Sequence, residues 1–362
     1  MSMNDSVQRI LIRFPNWVGD VVMAEPVIRI LKHHYPQARL AVALRKYAAK
    51  ILVGHPDIDQ LIPCDDKNLK GVKQLAAAIR EESPDLAILL PNSFRSFLSV
   101  RWAGVNHIVG YRRGVRRFFL KGPNPPRENG RYKPVPMTDY YLDLLKWMGL
   151  KIEGSVTPHL YLTEEENARG EELLNRYGIK AGDKVVALNP GAKFGSSKCW
   201  PPKYFAELAE RIQNRYHNKL LLLVGPGEDA IAEEIVQTSK ADIINTGPDK
   251  TDLGALKALV KRTDLLVTND TGPRHYAVAF DKPVVVLMGP TDPRHTNCHL
   301  DKTVILREDL PCVPCHKKVC PIDHPCMIEM TPDKVFNAVQ QIMEQGGAGE
   351  RTAGADYRSQ TA

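Results

Sequence analysis

The chain has 362 residues, of which 43% are hydrophobic and 25% are charged, a composition typical of soluble globular proteins. This length exceeds one ordinary core and predicts two domains of about 150 residues each. No stretch approaches the ~20 apolar residues that span a bilayer, and MSMNDSVQRI contains no apolar signal core, so we expect a cytoplasmic protein. The formal net charge of +7 favours an anionic partner without specifying its kind.

Short β-rich runs alternate with helical patterns through the first half of the chain. Strands are expected at Arg9–Phe14, Arg39–Leu44, Leu86–Leu90 and His107–Val109, and helices at Val21–His34, Leu69–Glu82 and Asp139–Met148. The proline-rich, basic stretch Lys121–Pro136 predicts a loop, and we expect a linker near Gly149–Pro158.

The second half repeats this alternation. Strands are expected at Lys184–Leu188, Lys219–Val224, Ile243–Asn245, Leu265–Thr268 and Pro283–Met288. Helices are expected at Glu164–Tyr177, Pro202–Tyr216, Asp229–Ser239, Leu253–Val260, Thr271–Ala279 and Thr331–Gln345. The pattern is typical of βαβ units and predicts an α/β fold with two doubly wound domains, residues 1–155 and 156–345, followed by a disordered tail, residues 346–362. Ligands of such sheets bind at the carboxyl ends of the strands.

The stretch RFPNWVGDVVM predicts a strand, a turn and a helix, but it lacks the G-x-G-x-x-G fingerprint of dinucleotide-binding loops. Its single glycine, Gly19, is followed by Asp20. Two interpretations of this acid are open. Asp20 is either the cap of the helix or a general base that faces the cleft and takes a proton from a hydroxyl group.

Phosphate-binding features occur in the second half instead. In NPGAKFGSSKCWP, glycines allow close approach of the backbone to a ligand, and Lys193 and Lys198 supply positive charge. In NDTGPRH, a strand end leads into a helix N-terminus, and Glu228 follows a third strand end, where it could accept hydrogen bonds from a ribose. Solvated lysines and plain helix capping are the alternative explanations.

Five stretches carry a family resemblance: PNWVGDVVM, PNSFRS, NPGAKFGSSKCWP, NDTGPRH and GPTDP, which extend from Pro15 to Pro293. In these, the chain resembles the heptosyltransferases of glycosyltransferase family nine. The resemblance implies the GT-B architecture, two Rossmann-like domains facing a central cleft, with the acceptor in the first and the nucleotide sugar in the second. It also implies transfer of heptose, with inversion, from ADP-heptose to the inner core of lipopolysaccharide (heptosyl-Kdo2-lipid A), without a required metal cofactor.

The resemblance further implies roles for individual residues. Asp20 would be the catalytic base, and Lys198 would stabilise the departing diphosphate. The donor-binding residues would be Lys193, Glu228, Asp270, Thr271, Gly272 and His275. The acceptor-binding residues would be Asn92, Ser93, Arg95, Arg112 and Arg113.

Four of the seven cysteines form a C-x2-C-x4-C-x5-C cluster, namely Cys312, Cys315, Cys320 and Cys326. Four thiolates could hold a structural zinc ion, although the spacing is not that of a standard zinc ribbon. Reduced thiols are the alternative, since the chemistry of the family needs no metal.

The segment Gly110–Gly122 combines basic and aromatic residues, and this combination suits peripheral contact with an anionic membrane. A solvated surface loop is the alternative. We therefore expect a location at the cytoplasmic face of the inner membrane. Other functions remain open: a GT-B transferase with another nucleotide-sugar donor or acceptor, or a non-catalytic nucleotide-binding protein. A nucleic-acid partner is not expected, because no helix-turn-helix or aromatic platform is recognisable.

Overall fold

The computed structural model describes residues 7–344; the expected disordered tail lies outside this range. The first half of the chain contains a five-stranded parallel sheet and a short hairpin. The strands are β1 (Arg9–Arg13), β2 (Arg39–Arg45), β3 (Gln60–Cys64), β4 (Leu86–Leu89), β5 (His107–Gly110) and the hairpin β6 (Arg127–Glu128) and β7 (Arg131–Tyr132). The order in the sheet is β3-β2-β1-β4-β5.

The second half contains a six-stranded parallel sheet. Its strands are β8 (Val185–Asn189), β9 (Lys219–Leu222), β10 (Ile243–Asn245), β11 (Leu265–Asn269), β12 (Val284–Leu287) and β13 (Thr303–Leu306). The order is β10-β9-β8-β11-β12-β13. Strands β8, β11 and β12 are buried along their whole length, because helices cover both faces of a parallel sheet.

Thirteen helices accompany these sheets within residues 7–344. They are α1 (Val18–Ala24), α2 (Pro26–His34), α3 (Lys46–Leu52), α4 (Leu69–Glu82), α5 (Phe94–Trp102), α6 (Met137–Trp147), α7 (Glu164–Arg176), α8 (Pro202–Tyr216), α9 (Asp229–Thr238), α10 (Leu253–Arg262), α11 (Gly272–Ala279), α12 (Pro325–Ile328) and α13 (Pro332–Glu344). No helix in this part of the chain combines the length and apolar character needed to cross a membrane.

The prediction of a single helix over Val21–His34 is wrong in one respect, because the structure has two helices there, α1 and α2. Pro26 has no N–H to donate to Val22, and the Glu25 N–H bonds to the Val22 carbonyl instead. Seven elements were not predicted, namely the hairpin strands β6 and β7 within the expected loop, the short helix α12, and α3, β3, α5 and β13. Of the last four, three are short, β3 and β13 lie at sheet edges, and β3 contains Pro63, which weakens its strand signal.

In both sheets the strand that comes first in the chain lies in the interior, and the later strands are added first on one side of it and then on the other. Strand β1 lies between β2 and β4, and β8 lies between β9 and β11, so each sheet has a topological switch point. Side chains that follow these strands converge at the crevice where ligands of such sheets bind. The segment after β1 contains Asp20, the segment after β8 contains Lys198, and Asp270 directly follows β11.

The connection between the halves is attached to the break between α1 and α2. The buried Glu25 carboxylate accepts hydrogen bonds from Arg29 Nε (2.8 Å), from the His55 ring (2.9 Å) and from the His159 N–H (2.9 Å). Arg29 in turn donates to the carbonyl groups of Ser155 and Thr157. The segment near Gly149–Pro158, which was expected to be a linker, is therefore held against the first half by hydrogen bonds.

A buried lysine joins the halves a second time. Lys257 of α10 is fully buried, and its ammonium donates to the carbonyl groups of Val53 (2.9 Å) and Tyr161 (2.8 Å) and pairs with Glu166 (2.7 Å). A buried ammonium group with two hydrogen bonds and one ion pair fixes the relative position of the elements that supply these three partners. The second half is thereby held against the end of α3.

Candidate active site

The first turns of α1 and α11 pack directly against each other across the two halves. A Cβ atom on Gly19 would lie 2.7 Å from Cδ2 of His275, and one on Gly272 would lie 2.6 Å from Cγ1 of Val18. Real Cβ atoms do not approach other atoms this closely, so both positions require glycine. The two glycines bring the helix that carries Asp20 against the helix that follows Asp270.

Asp20 lies in the first turn of α1 and is partly accessible to solvent. The helix begins after Trp17, and no side chain caps it, so the interpretation of Asp20 as a helix cap is wrong. Burial between the two halves raises the pKa of the Asp20 carboxyl to about 6, and the positive charge of Lys198 opposes this shift. A carboxylate with this pKa is ionised near neutral pH and can still accept a proton.

Lys198 reaches the strand end that carries Asp270. Its ammonium donates to the Asp270 carbonyl (2.8 Å) and pairs with the carboxylate (2.7 Å). Burial alone would raise the pKa of Asp270, but Lys198 and Arg274 hold it below its usual range. Thr291 donates a third hydrogen bond to the carboxylate at 2.7 Å. Asp270 is therefore ionised and holds Lys198 in place.

The charged side chains of the second half that surround Asp270 do not cancel one another. Asp270 carries one negative charge, and it is paired with two cations, Lys198 and Arg274. Arg274 is buried and also donates to the Thr296 hydroxyl and carbonyl. Counted within the second half, one positive charge is left at the edge of the sheet, and it lies near the Asp20 carboxylate of the first half, whose pKa Lys198 lowers.

His275 is a buried neutral ring in this structure. Burial, with a smaller contribution from the nearby Arg274 guanidinium, lowers its pKa to about 3. Its ring lies against Gly19, so it separates α1 from α11 without adding charge. His275, which was expected to line the donor site, thus also sets the distance between the two halves.

The other expected donor residues surround the end of β8. A Cβ atom on Gly191 would lie 1.8 Å from Cδ of Glu228, so this glycine makes room for the carboxyl group. Glu228 accepts a hydrogen bond from the Gly225 N–H (2.8 Å), and burial raises its pKa, whereas the nearby Lys193 lowers it. Lys193 itself is exposed.

Thr271 precedes α11, and its hydroxyl is engaged away from the helix end. It accepts a hydrogen bond from Asn189 Nδ2 (3.1 Å), and Asn189 also donates to Thr268 (3.0 Å). No side chain caps α11, so the N–H groups of its first turn, from which Pro273 is excluded because it has none, are without a side-chain acceptor. Asn189 was not assigned to the site from the sequence. Its position at the carboxyl end of a buried strand could have indicated it.

On the first half, Asn92 and Arg113 line an open pocket of about 410 Å³ together with Phe94, Val115 and Tyr132. The pocket also reaches Arg116, which is 1% exposed. Arg116 donates only to neutral oxygens, those of Pro91, Asn92, Ser93 and Tyr111. Burial lowers its pKa to about 10.

From the sequence, Arg116 was one of the basic residues of Gly110–Gly122 expected at an anionic membrane, and it was not assigned to the acceptor site. Within residues 7–344 this buried cation has no carboxylate partner, and it lies beneath a pocket that already contains Arg113. The other three expected acceptor residues lie outside this pocket lining. Ser93 caps α5, Arg95 is exposed and donates to the Lys67 carbonyl, and Arg112 donates to the Arg117 carbonyl at 3.2 Å.

The four clustered cysteines line one small cavity of about 50 Å³. All are free thiols, and burial raises the pKa of Cys326 to about 11, with the other three thiols adding to the shift. Between residues 7 and 344, no group of three or more His, Cys, Asp or Glu side chains has an arrangement that could hold a metal ion. The geometry of the described residues therefore does not support the zinc interpretation of the cluster.

A family model described as glycosyltransferase family 9 (heptosyltransferase) matches residues 72–325. The chain belongs to glycosyltransferase family 9. Lipopolysaccharide heptosyltransferase 2 of Escherichia coli K12 is 28% identical over 353 residues, which cover 93% of this chain and 99% of that protein. Lipooligosaccharide heptosyltransferase 2 of Haemophilus influenzae is 30% identical over 318 residues, 82% of this chain and 88% of that protein.

Among solved structures, E. coli ADP-heptose lipopolysaccharide heptosyltransferase II superposes with a TM-score of 0.77 at 25% identity, covering 94% of this chain and all of the other. The expected GT-B fold and glycosyltransferase class are thereby confirmed. The family resemblance stated from five short stretches is confirmed as well.

The pH dependence of stability provides a test of the environment of Asp20. The ordinary pKa of 3.8 is raised to about 6, so the folded protein bears a cost for ionising this carboxyl that begins above pH 4 and is complete above pH 6. We expect Asp20→Asn to stabilise the protein by roughly 3 kcal/mol above pH 6 and to have no effect below pH 4.

Calorimetric melting from pH 4 to pH 8 measures this difference. Asp139→Asn is the matched control, because Asp139 also lies in the first turn of a helix but is exposed. A melting-temperature difference between Asp20→Asn and wild type that is constant across this range would contradict the raised pKa.

Proposed function

We propose that this protein transfers heptose from ADP-heptose to the inner core of lipopolysaccharide, with heptosyl-Kdo2-lipid A as the acceptor. The observation that carries the proposal is the convergence of Asp20 and Lys198 between the carboxyl edges of the two sheets, where the Lys198 charge acts on the pKa of Asp20, in a chain that belongs to glycosyltransferase family 9. The names of the relatives, which include heptosyltransferase 2 of several bacteria, support the choice of donor and acceptor.

Asp20 is the general base in this proposal. The acceptor hydroxyl donates its proton to the Asp20 carboxylate, and its oxygen attacks the anomeric carbon of the donor while the bond to the diphosphate breaks. One such displacement inverts the configuration at that carbon. The raised pKa supports the assignment, because a base is most effective when its pKa approaches the working pH.

Lys198 receives the negative charge that develops on the departing diphosphate. It is 12% exposed, close enough to Asp20 for their charges to interact, and held by Asp270, so little reorganisation is needed during the reaction. The uncapped N–H groups at the start of α11 add to this stabilisation. Glu228 accepts hydrogen bonds from the ribose, and Lys193 supports the phosphates. No metal cofactor is needed for these steps.

The acceptor binds on the first half, with an anionic group in the pocket formed by Asn92, Arg113 and Arg116. Charge supports this assignment. Between Asp85 and Glu128 the chain has no acidic residue, whereas it has eight arginine or lysine residues. An acceptor phosphate or carboxylate would compensate the buried Arg116 charge and would meet the exposed Arg113, which stacks on Tyr132 at 3.9 Å.

Beside this pocket is a surface suited to the cytoplasmic face of the inner membrane. Val115, Phe118 and Phe119 are each more than 60% exposed, and Arg117 stacks on the Phe118 ring at 4.7 Å. Exposed aromatic rings can enter the interface of a bilayer while arginines contact anionic headgroups. Such contact would place the pocket next to a membrane-anchored acceptor.

Asp20→Asn tests the general base. The amide keeps the shape of the side chain but cannot take the proton, so kcat should fall by ~10²–10⁴-fold, while the Kd for ADP should change little. For the wild type, kcat/KM should rise with pH through an apparent pKa near 6. Steady-state kinetics with ADP-heptose measures both. Near-wild-type turnover by a folded Asp20→Asn protein would rule out this base.

Lys198→Ala tests the contact with the diphosphate. Binding of ADP should weaken, binding of adenosine should hardly change, and kcat/KM should fall by more than the loss of affinity, because charge increases on the leaving group. Calorimetry with ADP, UDP and adenosine, together with kinetics, measures these effects. Equal ADP affinity in both proteins would exclude Lys198 and favour Lys193. Tighter binding of UDP than of ADP would favour a transferase with another nucleotide-sugar donor.

Replacement of both exposed phenylalanines tests the membrane contact. Phe118→Ser with Phe119→Ser should lower partitioning onto vesicles of anionic phospholipid by more than about tenfold, because two aromatic side chains no longer leave water. Sedimentation with anionic and with neutral vesicles measures the partitioning. Trp147→Ser, which removes an exposed aromatic ring of α6, should have no effect. Equal partitioning of wild type and double variant would exclude this surface.

A further inference from the structure

The segment containing the four cysteines, residues 312–326, has almost no regular structure before α12, yet it packs against the functional edge of the second sheet. The cysteine segment contacts the loop that follows β8, residues 190–198, which we call the lysine loop because it ends at Lys198. It also contacts the loop that follows β12, at Pro290, where the His316 N–H donates to the Pro290 carbonyl at 2.9 Å.

Three hydrogen bonds hold the lysine loop at a single residue, Ser197, which is 2% exposed. The Ser197 N–H donates to the Lys318 carbonyl (3.1 Å), and its hydroxyl donates to the Lys317 carbonyl (2.5 Å). The Ser197 carbonyl accepts a hydrogen bond from His324 Nε2 at 2.7 Å. Ser197 is thus bonded through its N–H, its hydroxyl and its carbonyl to one short stretch of the cysteine segment.

The backbone of the lysine loop is shaped for this contact. Gly195 has φ of +152°, a conformation that favours glycine, and a Cβ atom there would lie 2.3 Å from the Lys318 carbonyl oxygen. The loop therefore lies directly on the cysteine segment. On the opposite side, the next residue after Ser197 extends to Asp270, which also accepts a hydrogen bond from Thr291 of the loop after β12.

We propose that the cysteine segment is a brace that positions Lys198, and that His324 and Ser197 are the positioning residues through which it acts. This inference rests on the proposed contact of Lys198 with the donor diphosphate. The brace supports both loops that converge on Asp270, one through Ser197 and the other through Pro290. The four thiols form part of the wall of the small, largely apolar cavity beside Ser197, a role that needs no bound metal.

His324→Asn and Ser197→Ala test the brace. Asparagine tolerates the left-handed backbone of His324 (φ +55°) but is too short to reach the Ser197 carbonyl. Each variant loses one hydrogen bond, so the Kd for ADP and the KM for ADP-heptose should rise about threefold to tenfold. The Kd for adenosine should stay unchanged, because adenosine lacks phosphates. His324→Gln, which restores a donor at the reach of Nε2, should recover part of the affinity.

The chain provides a matched control for each variant. His316→Asn changes an exposed histidine of the same segment with the same left-handed backbone (φ +54°), and Ser196→Ala changes the exposed neighbour of Ser197. Both controls should bind ADP as the wild type does. In a protein that already carries Lys198→Ala, His324→Asn should cause no further loss of ADP affinity, because the brace acts through that lysine.

Calorimetry of ADP and adenosine on these proteins distinguishes the outcomes. If Lys198→Ala weakens ADP binding but His324→Asn and Ser197→Ala do not, the brace is wrong and the proposed function stands. If Lys198→Ala itself leaves ADP binding unchanged, the proposed diphosphate contact has failed. Equal losses for ADP and adenosine, or equal losses in variants and controls, would indicate general loosening of the second half and would overturn the positioning role.

Discussion

The close approach of α1 and α11 is the contact on which the arrangement of the site depends. Each helix follows the strand beside the switch point of its own sheet, and each presents a glycine where a Cβ atom would collide with the other half. Without Gly19 and Gly272, the helices would have to separate. The carboxylate of Asp20 and the ammonium of Lys198 would then no longer share one partly desolvated space, and their mutual influence would weaken as water entered.

The electrostatics of the site follow from this approach. Asp20 is placed between two halves, so its pKa rises, whereas Asp270 lies among cations, so its pKa falls. Two carboxylates at the edges of facing sheets thus have opposite properties. One remains able to exchange a proton near neutral pH, and the other is a permanent anion that holds a lysine and an arginine. The buried neutral His275 lets the helices meet without adding a charge between them.

Support for the site comes from elements outside the strand ends. Glu25 and Arg29 hold the connection between the halves, Lys257 ties α10 to the end of α3, and the cysteine segment lies behind the lysine loop. Each of these contacts uses buried polar groups that are satisfied by hydrogen bonds, and such contacts specify geometry more strictly than apolar packing does. The fold therefore fixes the relative position of groups that arise from distant parts of the sequence.

The sequence by itself determined the two parallel sheets, most of their strands and helices, and the family, because buried parallel strands leave long apolar runs and strand-end loops carry short characteristic motifs. It also indicated Asp20, Lys198 and Asp270 as functional residues. Only the tertiary structure decided that Asp20 is not a helix cap, that Arg116 is a buried cation without a carboxylate partner among residues 7–344, and that the four cysteines line the cavity beside Ser197. These properties depend on burial and on contacts between residues far apart in the chain, and residue type and local spacing carry no information about either.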